Sequence, residues 1–77
     1  MIQTEFDFTQ GLTPVEKLDF VMGVKVGRFN RGEVEVTFPI CTPDGIVELI
    51  FGIGPTLEIA AENAMICKEG RRGKFLS

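Results

Sequence analysis

The sequence predicts a small α+β domain in which a helix, three antiparallel strands and a second helix follow one another. Three observations predict it. Thr13-Pro14-Val15-Glu16 is a helix-opening signal, Glu33–Ile40 alternates strictly, and Leu57–Met65 repeats alanine at helical spacing. Hairpin signals join the strands, so the sheet is a meander with both helices on one face.

Residues 2–8 come first, with Ile2, Thr4, Phe6 and Phe8 alternating against Gln3, Glu5 and Asp7. That period suits an extra N-terminal strand, either at the edge of the same sheet or as an arm on another chain. Residues 1–12 are therefore set apart as an N-terminal arm or edge strand.

The first helix starts at Thr13, a good N-cap, with Pro14 in the first turn and Glu16 completing a capping box. Val15, Leu18 and Met22 share one face, Val21 borders it, and Gly23 is the expected left-handed stop, so the helix is three turns at most.

The first strand is expected over Val24–Phe29, with a bulge at Gly27. Asn30-Arg31-Gly32 forms a hairpin loop. The second strand, Glu33–Ile40, points Val34, Val36, Phe38 and Ile40 inward and Glu33, Glu35 and Thr37 outward. Pro39 suggests an edge position or the end of that strand. Thr42-Pro43-Asp44-Gly45 is a turn. The third strand, about Ile46–Phe51, is almost wholly apolar, which predicts a central position covered on at least one face.

The last helix runs from Pro55 or Thr56 to Glu69, with Gly70 as its C-terminal stop. Leu57, Ala60, Ala61, Ala64 and Met65 share the face turned to the sheet, and the alanines allow a close approach. Glu58, Glu62 and Glu69 make a solvated stripe. Residues 13–69 thus form one domain, and 70–77 a basic C-terminal tail.

Composition narrows the function. The chain has 77 residues, 44% hydrophobic, with seven Phe and neither Trp nor Tyr, enough for one core. No run approaches a membrane span, and the N-terminus has no basic region followed by a long apolar one. Two cysteines, Cys41 and Cys67, are too few for a disulfide framework, and a reduced, cytoplasmic protein is expected. The net charge of −3 is unevenly placed: Lys68, Arg71, Arg72 and Lys74 face only Glu69 after residue 67, while the body is acidic. An acidic body repels a nucleic-acid backbone.

Catalytic signals are missing. The chain has no His, no Cys-x-x-Cys and no convergent carboxylates, so no enzyme, metal or cofactor is expected. Gly52-x-Gly54 lacks the lysine of a phosphate-binding loop, and Pro55 removes a backbone donor where an anion would need one. Glu58 already complements the helix dipole. The glycines therefore read as the corner that lets the alanine-faced helix lie tightly on the sheet. Cys67, on a helix flank, reads as a core residue, and Cys41, beside the Thr42-Pro43 turn, is considered as a reactive thiol and set aside for want of any partner in the pattern.

Two features suit a partner. Ile59, Asn63 and Ile66 form an i, i+4, i+7 stripe on the side of the last helix away from the sheet, a candidate contact for a partner protein or a second copy. Lys25, Arg28, Arg31, Arg71, Arg72 and Lys74 are candidate nucleic-acid contacts, in the first hairpin and the tail.

The element order resembles a double-stranded-RNA-binding domain. Gly52-x-Gly54-x-Thr56 followed by Ala60 and Ala64 is similar to the end of that family's third strand and the start of its second helix. The resemblance covers residues 13–69 and implies an αβββα fold. Leu57 and Glu58 stand where the family has phosphate-gripping lysines, and Arg28–Gly32 lacks the histidine of its hairpin loop. The chain is also similar to HicB-like antitoxins, through Phe38-Pro39 and Gly54-x-Thr56-Leu57-Glu58-x-Ala60-x-x-Asn63-Ala64, over residues 24–67. That family's N-terminal domain binds a toxin protein. Together these imply a non-catalytic, protein-binding regulator, inhibitor- or antitoxin-like, with no membrane or small-molecule partner. The alternative is a weak nucleic-acid binder using the first hairpin loop and the basic tail.

Overall fold

A computed structural model of the chain describes residues 11–76. Its elements are α1 (Pro14–Leu18), β1 (Lys25–Phe29), β2 (Glu33–Cys41), β3 (Val47–Gly54), α2 (Leu57–Gly70) and β4 (Lys74–Phe75). The fold is α+β with the expected αβββα order, plus a short closing strand. The alternating segment 2–8 lies outside the described residues.

The capping box at α1 forms on both sides: Glu16 N–H donates to Thr13 Oγ1 at 3.2 Å, and Thr13 N–H donates to the Glu16 carboxylate at 2.9 Å. The helix is shorter than the apolar spacing predicts. After Leu18 the backbone bonds run i to i−3, from Asp19 to Glu16, Phe20 to Lys17 and Val21 to Leu18. A tightening to three residues per turn stacks Val21 over Leu18. Val21 is therefore buried and Met22 exposed, reversing their expected roles. Gly23 stops the chain at φ +77°, as expected.

The sheet is antiparallel, in the order β1-β2-β3, with β4 added to the far end of β2. β1 pairs with β2 without interruption from Lys25↔Thr37 to Phe29↔Glu33, so Gly27 makes no bulge. β2, not β3, is the central strand. It is flanked along one side by β3 and on the other by β1 and β4. Pro39 falls opposite Leu49, between the stretches of β2 that meet β1 and β4. A missing N–H is tolerated in that gap, so Pro39 marks neither an edge nor an end.

β3 runs on to Gly54, so Gly52 and Gly54 lie inside the strand, opposite Val36 and Val34. They form a landing strip for α2. A Cβ on Gly52 would overlap Ala60 O and Ala64 N of α2, and one on Gly54 would lie 2.6 Å from Ile59 Cγ2. The alanine face meets them, and Ala60, Ala61 and Ala64 are fully buried. Beneath lie Val36, Phe38, Ile40 and Ile50, joined by Leu18 of α1 and by Val21 in the turn after it. Burying a side chain such as Phe38 contributes about 2–3 kcal/mol.

The C-terminal residues do not form a solvated tail. α2 ends one residue later than expected, and the left-handed position falls on Arg72 (φ +55°), not on Gly70. Arg72 N–H bonds Glu69 O at 3.0 Å and Gly73 N–H bonds Lys68 O at 3.0 Å, a Schellman closure. The chain then turns back as β4, pairing Phe75 with Ile40. The Phe75 ring meets Phe38 edge-on at 5.7 Å, and Lys68 Nζ sits 4.6 Å above it.

Candidate functional site

Side chains alternate across β3. Glu48, Ile50, Gly52 and Gly54 share the face of Ile40, Phe38, Val36 and Val34, under the helices. Val47, Leu49, Phe51 and Ile53 point to the other face. Val47, Leu49 and Phe51 are 59%, 64% and 56% exposed. The apolar run that suggests a central strand is thus covered on one face only.

β3 is also one of the two edges of the sheet among the described residues, β1 with β4 forming the other. Antiparallel residues alternate between bonding their partner and pointing their N–H and C=O away. Pro39, without an N–H, faces Leu49, while Thr42 N–H bonds Ile46 O at 2.9 Å. Even-numbered residues of β3 therefore bond β2. Val47, Leu49, Phe51 and Ile53 direct their peptide groups outward.

The stripe on α2 lies along this same edge, not on the side away from the sheet. Ile59 stands over Gly54, and the Asn63 amide donates to Ile53 O at 2.9 Å. Ile59 and Ile66 are exposed, and α1, which packs elsewhere against α2, does not cover them. The β3 residues Val47, Leu49 and Phe51 were not among the sequence candidates. Their signal was the broken alternation of residues 46–51. Among the described residues, an apolar belt therefore lies on this side of the molecule: the β3 ridge below, outward peptide groups in the middle, and Ile59 above, with exposed Ile66 two turns further along the same face of α2.

The basic candidates do not converge. Lys25 and Arg28 extend from opposite faces of β1, and Arg28 donates to Gly32 O at 2.8 Å. Arg31 is exposed in the hairpin loop. Arg71 pairs with Glu48, whose hydrogen bond and charge raise the guanidinium pKa further above its ordinary value. Arg72 and Lys74 line a hollow at the far end of the sheet with Cys41 and the 42–45 turn. Lys68, not a candidate from sequence, is largely buried against Phe75 and paired with Glu69 at 3.1 Å.

Cys41 is half-buried and its thiol lies 3.6 Å from Thr42 O, while half-buried Cys67 packs against the core. Among the described residues, no three Cys, Asp or Glu side chains gather as a metal-holding group. No helix among them is long and apolar enough to cross a membrane. No protein-family model, curated protein or solved structure matches the chain.

Proposed function

We propose that this chain is a small, non-catalytic, protein-binding regulator, inhibitor- or antitoxin-like in character, whose contact side is the β3 edge and the Ile59–Asn63–Ile66 stripe. The observation that carries this reading is the set of exposed apolar side chains, Val47, Leu49 and Phe51 of β3 with Ile59 and Ile66 of α2. Exposed apolar side chains beside a strand edge that no other described residue pairs favour a protein surface over a phosphate backbone. The dispersed basic side chains and net charge of −3 weigh against nucleic acid. The resemblance to HicB-like antitoxins, where a strand meander and helix form a toxin-binding domain, points the same way.

The test is capture of partners from the native host by the wild type and by Ile59→Lys/Ile66→Lys. The double variant should keep its circular dichroism and lose the specific partner. A titration with double-stranded RNA and DNA at two salt concentrations is the counter-test. Tight binding that weakens steeply with salt would replace the protein-binding reading with the nucleic-acid one.

A further inference from the structure

We infer that β3 is the seam of a two-fold homodimer, pairing antiparallel with β3 of a second copy about Ile50 and joining two sheets into one. This names the partner for the contact side proposed above and rests on that reading.

Two alternations have to agree for such a seam, and they do. In an antiparallel pair, residues opposite one another share a face, and outward peptide groups must meet outward ones. In β3 the outward peptide groups and the apolar side chains of the open face belong to the same residues, exposed Val47, Leu49 and Phe51 and half-buried Ile53. Pairing about Ile50 sets Val47 opposite Ile53 of the second copy and Leu49 opposite its Phe51, and symmetry repeats both. All four residues then find apolar neighbours and backbone partners. Moving the centre to Leu49 leaves Ile53 opposite Gly45. Moving it to Phe51 leaves Val47 opposite Pro55, which has no N–H.

Charge selects the same register. Glu48 is the one charged residue in Val47–Gly54. About Ile50 it meets Gly52 of the second copy, where no side chain competes for space and no carboxylate opposes it. Asn63 occupies Ile53 O but leaves its second lone pair to accept a strand bond.

α2 leaves room for the second copy. It starts above Gly54 at the edge, and Lys68 in its last turn lies over Phe75 of β4 on the far side of β2. The helix therefore crosses β3 obliquely, and at the Val47 end the inner face of the strand carries the Glu48–Arg71 pair, not the helix itself, opposite the N-terminal turn of the second α2. Ile59 and Ile66 then face the neighbouring helix. A seam about 25 Å long and 20 Å tall buries about 500 Å² per copy, near the lower limit for specific association. The dimer is therefore concentration-dependent. Each copy carries net −3, so added salt strengthens it, the reverse of nucleic-acid binding.

Sedimentation equilibrium of the full chain from low micromolar to millimolar protein tests this, alongside amide hydrogen exchange at both ends of the range. The expected result is a monomer–dimer equilibrium in which the Leu49 and Phe51 amides become protected as dimer forms. Leu49→Pro removes an outward N–H on an edge strand, where proline is tolerated. It should keep the denaturation midpoint of a monomer and weaken association about a hundredfold. Leu49→Lys should weaken it similarly. A dimer whose Leu49 and Phe51 amides stay unprotected would overturn the seam. So would a monomer at every concentration with those amides protected, which would assign the edge to residues 2–8 of the same chain. A monomer that still captures a partner through Ile59 and Ile66 would end this inference and leave the protein-binding reading standing. A monomer that captures none would end both.

Discussion

The Asn63 side-chain amide donates to the carbonyl oxygen of Ile53 at 2.9 Å, tying the outward flank of α2 to the outer edge of β3. A residue that reads from sequence as the polar middle of a helix stripe is thus a clasp between helix and strand. Asn63→Ala removes the clasp at an exposed site and should cost about 0.5–1 kcal/mol in urea denaturation. A loss above about 2 kcal/mol would place Asn63 in the core.

Gly52 and Gly27 offer a contrast. Gly52→Ala drives a methyl into the backbone of α2, which cannot give way without lifting the helix. The expected loss is about 2–3 kcal/mol, read as a lower denaturant midpoint. A Cβ on Gly27 meets nothing within 4 Å, and its φ is not positive. Gly27→Ala should be neutral or stabilising by up to about 1 kcal/mol, by restricting the unfolded chain.

Truncation after Gly73 should destabilise the fold, not merely trim a tail. It removes the Phe75 ring from Phe38 and leaves the Lys68 ammonium, largely buried, without its aromatic neighbour. Phe75→Ala isolates the ring and should cost about 2–3 kcal/mol, less than a fully buried phenylalanine because Phe75 is half-buried. A truncated chain with an unchanged thermal midpoint would make β4 dispensable.

Thr13→Ala removes the Oγ1 that accepts from Glu16 N–H at the start of a five-residue helix, while the backbone N–H of residue 13 can still donate to the Glu16 carboxylate. So short a helix has little intrinsic stability, so the loss, about 1 kcal/mol, should appear as faster amide exchange in α1 before the rest of the domain opens.

The element order, the Thr13 cap, the turn at Thr42–Gly45 and the inward set Val34, Val36, Phe38 and Ile40 were legible in the sequence. Each depends on local chemistry or on a period of two or 3.6 residues. The alanine face of α2 and the need for glycine at 52 and 54 were legible as close packing, though their place inside β3 was not. What only the tertiary structure decided is which strand lies at the centre, where the tail goes and what the stripe faces. An apolar run such as Val47–Ile53 has the same composition whether one face or two are covered, because burial belongs to the neighbours and not to the strand. Pro39 reads as an edge signal until β1 and β4 are seen to leave a gap beside it. Lys68 and Phe75 find each other only because the chain reverses at Arg72, a left-handed turn taken by an arginine two residues after the glycine that sequence preference selects. The sequence by itself determined the elements and their inward faces. The packing of α2 across β3 decided which apolar side chains stayed outside, and so which side of the protein is available to a partner.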